Sequence, residues 1–100
     1  MIEVHKTSAF LAWLRKVRDV RALARIQVWI DRLSLGNPGD VRPVGEGVSE
    51  LRIDYGPGYR VYFLQRGETY ILLLCGGDKS TQNNDIAEAK ALAKEWSDGD

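Results

Sequence analysis

Residues 70–75 constrain the fold more than any other segment, because they read Tyr-Ile-Leu-Leu-Leu-Cys with no alternating polar residue. A strand with one face in solvent alternates apolar and polar residues, whereas a strand covered on both faces is continuously apolar. The sequence therefore predicts a central strand with structure packed on both sides of its sheet. A chain of 100 residues has room for one such core, so we assign residues 1–100 to a single domain.

The segments around this strand have the pattern of consecutive antiparallel hairpins. Strands are predicted at residues 48–54, 59–65 and 69–75. The first turn is Tyr-Gly-Pro-Gly at residues 55–58, where proline fixes φ and the glycines allow a positive φ, and Arg-Gly-Glu at residues 66–68 forms the second turn. A weaker strand is expected at residues 41–44, and Pro43 confines it to an edge because proline cannot donate to a neighbouring strand.

Helical periodicity dominates the beginning and the end of the chain. A short alternating strand at residues 1–6 is followed by apolar residues at helical spacing, with Thr7 or Ser8 and then Asp19 as candidates to cap two helices. The sequence Gly-Asn-Pro-Gly at residues 36–39 ends the second helix, and a further helix follows the central strand. The predicted fold is α+β, with a small antiparallel sheet, an N-terminal αα-hairpin and a C-terminal helix in the order β-α-α-β-β-β-α.

Composition excludes several kinds of site. The only cysteine, Cys75, excludes an internal disulfide and a cysteine-based zinc site, and the only histidine, His5, excludes histidine pairs and multi-histidine metal sites. We therefore expect no metal and no cofactor. Basic and acidic residues balance at 14 each, but residues 1–66 are net positive and residues 67–100 net negative, which permits a local anionic partner. With no apolar run long enough for a membrane helix and no signal peptide, we expect a cytoplasmic protein without membrane contact.

Three cations are the residues most able to carry chemistry. Arg52 and Arg60 lie on neighbouring predicted strands and alternate with apolar residues, so both guanidinium groups project from the same face. Lys79 leaves the end of the central strand beside them. Three convergent cations suit an anionic group such as phosphate, because arginine binds it with two hydrogen bonds and lysine as a point charge. The alternative is an ordinary solvated strand surface, with cross-strand pairs to Glu50 or Asp54.

Further features of this region have a functional and a structural interpretation. Tyr62 has the same strand parity as Arg60 and can stack on a nucleobase, although tyrosine is also a common strand residue. Residues 76–79, Gly-Gly-Asp-Lys, resemble a phosphate-binding loop but lack the spacing of a P-loop. Asp78 and Asp85 form either a two-carboxylate site or helix caps.

Five segments of the chain are typical of one protein family. They read RPVG at residues 42–45, GVSELR at 47–52, GYRVYF at 58–63, LLLCGGDKSTQ at 72–82 and DIA at 85–87. In these segments, and over nearly its whole length, the chain resembles the phage-derived, HigB-like addiction-module killer proteins of the RelE/ParE toxin superfamily. The resemblance is most specific in residues 42–93, and it implies a RelE-like fold.

The resemblance implies the toxin of a bacterial or phage type II toxin–antitoxin system. Such a toxin acts on the ribosome and mRNA, is neutralised by a HigA-like helix-turn-helix antitoxin, and reaches operator DNA only through that antitoxin. RelE-like members are endoribonucleases that cleave mRNA in the ribosomal A site by metal-independent attack of the 2′-hydroxyl. The matching catalytic positions here are Arg52, Arg60 and Lys79, and the expected supporting RNA contacts are Arg42, Tyr62, Arg66 and Gln82.

The resemblance also implies a role for each catalytic position. Arg60 is expected to stabilise charge on the phosphate, Arg52 to position the phosphate or assist deprotonation of the 2′-hydroxyl, and Lys79 to stabilise charge or protonate the 5′-oxygen. Several RelE-like nucleases carry a tyrosine in the last helix or tail, whereas this chain has none after Tyr70. Two alternatives are a ParE-like toxin that poisons DNA gyrase, and a catalytically inactive partner that only co-represses its operon with the antitoxin.

The predicted αα-hairpin carries a mixed aromatic and cationic set of side chains. Trp13 and Trp29 lie at helical spacing among many arginines, a combination that is enriched at protein interfaces. The hairpin is therefore a candidate antitoxin-binding surface, and the alternative is that both tryptophans belong to the core.

Overall fold

The computed structural model describes residues 2–98, which form an α+β fold with a five-stranded mixed sheet and three α-helices. The predicted order has three strands after the helices, whereas the structure has four, because the weaker edge segment does form a strand despite Pro43. A short 3₁₀ turn, Lys79–Thr81, precedes the last helix. In chain order the elements are β1 (Glu3–Lys6), α1 (Ser8–Lys16), α2 (Val20–Ser34), β2 (Val41–Gly45), β3 (Val48–Ile53), β4 (Tyr59–Arg66), β5 (Tyr70–Asp78) and α3 (Gln82–Asp98).

The strands lie in the order β1-β5-β4-β3-β2, and β2 to β5 form the predicted antiparallel meander with β2 at an edge. β1 instead pairs in parallel with β5, with Glu3 opposite Tyr70 and Lys6 opposite Leu73. The expectation of a purely antiparallel sheet is therefore wrong at this edge. The helices α1 and α2 connect β1 at one edge of the sheet to β2 at the other, and the meander then brings β5 back beside β1 in the same direction as β1. The alternation of residues 1–6 predicts a strand but not the direction of its neighbour. Met1 lies outside the described residues.

Both faces of β5 are covered, as its continuous apolar sequence predicts. The α1–α2 hairpin covers one face, and we call the buried side chains there the hairpin-side core, which includes Phe10, Ile26, Leu51, Ile71 and Leu73. The second face is covered by α3, and the α3-side core includes Val48, Tyr62, Leu72, Leu74 and Ala89. Burial of each large apolar side chain stabilises the folded state by about 1.5–3 kcal/mol. Because the sheet supplies side chains to both cores, both helical layers depend on it for this stabilisation.

Gly76 and Gly77 belong to β5 rather than to a loop. A methyl group on Gly76 would overlap the indole ring of Trp13, and one on Gly77 would overlap the carboxylate of Asp85. The two glycines therefore allow α1 to approach one face of β5 and α3 to approach the other. The resemblance of residues 76–79 to a phosphate-binding loop is misleading, because these glycines make room for side chains and not for an anion.

Both helices of the hairpin begin at predicted capping residues. The hydroxyl of Thr7 accepts a hydrogen bond from the backbone N–H of Phe10 at 3.0 Å. The carboxylate of Asp19 accepts from the backbone N–H groups of Arg21 and Ala22. These bonds supply acceptors for N–H groups that lack one in the first helical turn. No helix in the described part of the chain is long and apolar enough to cross a membrane.

Aromatic stacking holds the C-terminal part of α3 against the sheet. The ring centres of Tyr70 and Trp96 are 5.3 Å apart, and the ring of His5 stacks on Tyr70 at 4.6 Å. The guanidinium of Arg66 lies 4.6 Å from the centre of the Trp96 ring. Arg66 and Arg60 stand at opposite ends of β4, about 20 Å apart along an extended strand. The stack is therefore remote from the end of the sheet that carries Arg60.

Replacing Gly76 by alanine is expected to lower the free energy of unfolding by roughly 1–3 kcal/mol, because the methyl group overpacks the contact with Trp13. Urea unfolding followed by circular dichroism measures this loss. The control is the same substitution in a Trp13→Ala background, where no indole ring opposes the methyl group and its cost should fall below about 1 kcal/mol. An equal cost in both backgrounds would contradict the assigned contact.

Candidate functional site

Polar side chains form a cluster on the sheet face that lies under α3. Residues directly opposite each other in antiparallel strands place their side chains on the same face. Arg52 on β3 is opposite Arg60 on β4, and two positions earlier Glu50 is opposite both Tyr62 on β4 and Arg42 on β2. The intervening residues of β3 and β4 point into the hairpin-side core. We call these residues the polar cluster: Arg42, Glu50, Arg52, Arg60 and Tyr62.

Glu50 is the centre of the polar cluster, although its side chain is only 1% exposed. Arg52 Nε donates to one carboxylate oxygen at 2.7 Å, and Gln82 Nε2 donates to the other at 2.9 Å. Arg60 Nη1 lies 3.8 Å from the oxygen that Arg52 contacts. Both carboxylate oxygens therefore have partners, which offsets the cost of burying the charge. Because Gln82 is the first residue of α3, Glu50 also fixes where that helix begins on the sheet.

The surroundings of Glu50 keep its carboxylate ionised. Burial acts to raise the pKa of Glu50, but hydrogen bonds from Arg52 and Gln82 and the positive charge of Arg60 outweigh it, so this pKa lies below its ordinary value. The hydrogen bond to Glu50 in turn raises the pKa of Arg52. Like charges directly opposite each other on two strands are unfavourable by themselves. The carboxylate that Arg52 and Arg60 share compensates for their repulsion.

Arg60 and Tyr62 are buried beside Glu50 and keep unused donors. Arg60 is 8% exposed and Tyr62 is completely buried. Among the residues that the structure describes, Nε of Arg60 has no hydrogen-bond partner. The hydroxyl of Tyr62 makes no well-formed hydrogen bond, but it is near enough to Glu50 to help lower the pKa of that carboxyl. Burial, followed by the negative charge of Glu50, raises the pKa of Tyr62, so its hydroxyl stays protonated. The polar cluster is therefore richer in donors than in acceptors.

A cleft of about 230 Å³ opens beside the two arginines. Its walls combine guanidinium groups, carboxylates and a half-buried tyrosine ring. The two guanidinium groups can bind the oxygens of a phosphate, whereas the carboxylates of Asp40 and Asp54 in the same cleft oppose an anion. The residues that line the cleft are Asp40, Arg52, Ile53, Asp54, Tyr59 and Arg60.

Lys79 lies at the same end of the sheet as the two arginines. It follows β5, in which Gly77 is directly opposite Arg60, and its side chain is exposed. Lys79 begins the 3₁₀ turn, which Asp78 caps by accepting a hydrogen bond from the backbone N–H of Ser80 at 2.8 Å. Hydrogen bonds from Ser80 hold the pKa of Asp78 below its ordinary value. The structure thus places all three predicted catalytic cations at one end of the sheet.

Asp85 connects the start of α3 to β5. Its carboxylate accepts a hydrogen bond from the hydroxyl of Thr81 and packs against Gly77, and its backbone carbonyl accepts from the thiol of Cys75 at 3.6 Å. Burial raises the pKa of Asp85, and it raises the pKa of Cys75 to about 12, as expected for an unreactive core thiol. Asp78 and Asp85 thus act at the start of α3. No group of three metal-ligating side chains is found among the described residues.

Two of the four predicted RNA contacts are occupied by packing within the protein. Tyr62 lies under α3 and is completely buried, so its ring is not available to stack on a base, contrary to the expectation. The alternation of side chains along β4 correctly predicts that Tyr62 lies on the same face of the sheet as Arg60. It does not show that α3 covers this face at Tyr62. Gln82 is half-buried and donates its side-chain hydrogen bond to Glu50.

The other two predicted RNA contacts are exposed but lie in different places. Arg42 is the member of the polar cluster on the edge strand β2, where it pairs with Asp40 at 3.6 Å. Arg66 lies at the far end of β4, where it lines a separate groove with Lys90 and Lys94. Arg42 can therefore contact the same ligand as the cleft, whereas Arg66 can contact only a more extended RNA.

The two tryptophans of the hairpin have different surroundings. Trp13 packs against Gly76 and Phe10 at the edge of the hairpin-side core. Trp29 covers Gly39 and also lines a groove on the outer side of α2. Trp13 is therefore a core residue, as the second of the two interpretations predicts. Trp29 contributes both to the core and to the outer surface of the hairpin.

A protein of Haemophilus influenzae (strain ATCC 51907 / DSM 11121 / KW20 / Rd), described as an uncharacterized protein, is 50% identical to this chain over 94 residues. The alignment covers 94% of this chain and 95% of that protein. The chain belongs to the family of that protein. No family model matches the chain. The description of the relative assigns no activity, so functional conclusions depend on the chemistry of the polar cluster and its cleft.

Glu50 is the site residue whose importance the sequence analysis missed. The alternating pattern of β3 is typical of a strand with one solvated face, so the sequence predicts Glu50 only as a surface partner for the arginines. A charge buried beneath a helix must be paired, and its partners then become fixed as well. The sequence predicts a helix over β5 but does not show that the same helix also covers β3. Without that information, a charged residue on β3 cannot be recognised as a buried centre of ion pairs.

Replacing Glu50 by glutamine is expected to lower the free energy of unfolding by about 3 kcal/mol near neutral pH, because two arginines lose their shared carboxylate. The pKa of Glu50 is lower in the folded protein than its ordinary value of 4.5. The ionised form therefore stabilises the fold above pH 4.5, and this contribution disappears as the pH falls through the folded-state pKa. Urea unfolding over a pH series should show the wild-type advantage shrinking below pH 4.5.

The matched control is Glu95→Gln, which removes a carboxylate from an exposed position on α3. This change should leave the free energy of unfolding within about 0.5 kcal/mol of the wild-type value. A Glu50→Gln difference that stayed constant across the acidic range would show that the ionised carboxylate is not what stabilises the polar cluster.

Proposed function

We propose that the protein is the toxin of a type II toxin–antitoxin system, and that it acts as a ribosome-dependent mRNA endonuclease with a RelE-like fold. The observation that carries this proposal is the cross-strand pair of Arg52 and Arg60, oriented by the buried Glu50 beside a small cleft. Guanidinium groups held in this way fit the oxygens of a phosphodiester. The resemblance of residues 42–93 to HigB-like killer proteins supports the same assignment.

In the proposed reaction the 2′-hydroxyl of the mRNA attacks the adjacent phosphorus, the bond to the 5′-oxygen breaks, and a 2′,3′-cyclic phosphate forms. Arg60 stabilises the negative charge that builds up on the phosphate oxygens. Arg52 positions the phosphate, and Lys79 stabilises the leaving 5′-oxygen or gives it a proton. The reaction as proposed uses no metal and no cofactor.

The proton of the attacking hydroxyl needs an acceptor. Glu50 is unsuited to this role, because both of its oxygens are already bonded and its pKa is lowered. Asp40 and Asp54 are exposed and line the same cleft as Arg52. Either carboxylate can accept the proton from a hydroxyl bound there. We therefore assign Glu50 as a positioning residue, which acts through the two arginines.

The proposal includes the partners that such a toxin requires. The ribosome presents the mRNA substrate in the cytoplasm, and a HigA-like helix-turn-helix antitoxin neutralises the toxin. Operator DNA is reached only through that antitoxin. These partners follow from the resemblance to HigB-like proteins, whereas the polar cluster supports the phosphate-binding chemistry.

A ParE-like toxin that poisons DNA gyrase is the second candidate. One observation favours it: Arg52 and Arg60 already share the carboxylate of Glu50, so part of their positive charge is neutralised before any phosphate binds. A gyrase poison requires no phosphate-binding residues. In that case the polar cluster would serve only to attach α3 to the sheet.

Arg60→Ala is expected to lower the rate of mRNA cleavage by about 100-fold or more, because it removes the charge that stabilises the transition state. Primer extension on a defined mRNA, with and without translating ribosomes, measures this rate. Cuts within codons that occur only with ribosomes would support the proposed substrate. The matched control is Arg15→Ala, which removes an exposed arginine from α1 and should leave cleavage unchanged.

Lys79→Ala provides a second test, because Lys79 is exposed and Arg60 also stabilises the fold through Glu50. We expect cleavage to slow by about tenfold or more, since the leaving oxygen loses its nearby cation. The free energy of unfolding should change by less than about 0.5 kcal/mol. Circular dichroism at the assay temperature establishes that each variant is folded.

The same assays distinguish the two candidate functions. Folded Arg60→Ala and Lys79→Ala variants that cleave at the wild-type rate would argue against the nuclease. Intact mRNA in every reaction, together with cell toxicity and inhibition of DNA gyrase in a supercoiling assay, would favour the ParE-like function.

A further inference from the structure

The outward face of α2 exposes apolar side chains that the core does not use. Three of the four exposed large apolar residues in the described part of the chain lie on α2 or its C-terminal cap, namely Val20, Val28 and Leu35. Their exposed fractions are 77%, 46% and 67%. Together with the exposed Ala24 they recur every four or seven residues, which places them along one side of the helix. We call this set the apolar stripe, and it is about 22 Å long at the rise of an α-helix.

A row of exposed arginines, Arg21, Arg25 and Arg32, runs beside the apolar stripe. No carboxylate among the described side chains forms an ion pair with any of the three. The acidic residue within α2, Asp31, lies within the apolar stripe, three residues after Val28 and four before Leu35, and its carboxylate accepts a hydrogen bond from Gln27. A groove of about 420 Å³ on this surface is lined by Arg21, Ala24, Arg25, Val28, Trp29 and Arg32.

Aromatic rings hold two of these arginines in place. The guanidinium of Arg25 lies 4.8 Å from the centre of the Tyr55 ring, and that of Arg32 lies 4.7 Å from the Trp29 ring. Stacking on a ring orients a guanidinium without neutralising its charge. The arginine row is therefore pre-organised for an anionic partner, because less side-chain entropy is lost when that partner binds.

This surface lies on the opposite side of the sheet from the polar cluster. The inner side of α2 packs on the hairpin-side core, whereas Arg52 and Arg60 lie on the side that α3 covers. An occupant of the outer face of α2 is therefore a partner other than an mRNA in the cleft. Its binding does not depend on whether the cleft cleaves RNA.

We propose that the outward face of α2 is a docking surface for an acidic amphipathic helix of a partner protein. The apolar residues of that helix cover the apolar stripe, and its glutamate and aspartate side chains face the arginine row. A nucleic acid matches only half of the surface, because its phosphates fit the arginines but leave the stripe uncovered. A second copy of the chain in a two-fold dimer is a poor match, because it presents the same arginines to this face.

Two synthetic peptides of about 18 residues, long enough to span the stripe, test the proposal. The acidic peptide has leucines at helical spacing flanked by glutamates, and the basic peptide has lysine in place of every glutamate. Each is titrated into the ¹⁵N-labelled full-length protein at low ionic strength, and amide shifts are followed by NMR. The acidic peptide should shift the amides of residues 20–35 saturably and bind at least about tenfold more tightly than the basic peptide.

Charge-reversed variants make the test specific. In Arg21→Glu/Arg32→Glu the preference should reverse toward the basic peptide, because two of the three charges in the arginine row change sign. Val28→Asp should weaken binding of the acidic peptide about tenfold or more, because it adds a second negative charge beside Asp31 in the apolar stripe and removes an apolar contact. Arg15→Glu/Lys16→Glu on α1 is the charge-matched control and should keep the wild-type preference. Thermal unfolding establishes that each variant is folded.

Saturable shifts at residues 20–35 whose charge preference reverses in the double variant would establish the docking surface. Equal binding of the two peptides, or no shift of these amides by the acidic peptide at millimolar concentration, would overturn the proposal. Stronger shifts of the same amides by an oligouridylate than by the acidic peptide would also overturn it, by identifying a nucleic-acid surface instead. Because the readout is binding, none of these results depends on the proposed nuclease activity.

Discussion

A buried carboxylate holds the candidate site of this molecule together. Glu50 joins three elements, through Arg52 on its own strand, Arg60 on the next strand and Gln82 at the first residue of α3. The partners depend on one another, because without the carboxylate two like charges would face each other beside a packed helix. The position of α3 and the orientation of both guanidinium groups at the cleft are therefore consequences of the same contact.

The two surfaces of the protein use arginine in different ways. Beside the cleft, Glu50 orients Arg52 and Arg60 at the cost of part of their charge. On α2, the rings of Tyr55 and Trp29 orient the arginines and leave their charge intact. A ligand at the cleft must therefore compete with Glu50 for the guanidinium groups, whereas the stacked arginines on α2 keep their full charge.

Local rules predicted much of this structure, and long-range packing determined the rest. The continuous apolar sequence of residues 70–75 predicted a strand covered on both faces, and Thr7 and Asp19 predicted helix starts, because these signals act within a few residues. Strand parity likewise placed the two arginines on one face. The parallel pairing of β1, the burial of Tyr62 and the central place of Glu50 depend on elements distant in the sequence. The site was therefore predictable as a set of cations, but the carboxylate that organises them was not.

Gly76 and Gly77 each contact a different side of the molecule, although they are neighbours in the sequence. Neighbouring residues of a strand face opposite ways, so one glycine determines how closely Trp13 of α1 approaches the sheet, and the other determines how closely Asp85 of α3 does. Two adjacent residues thus determine how closely two different helices pack on the sheet. A methyl group at residue 77 would meet the side chains of Asp85 and Thr81 at the start of α3, whereas one at residue 76 would meet the ring of Trp13 on α1. Related proteins can therefore diverge on one side of the sheet while the other side is preserved.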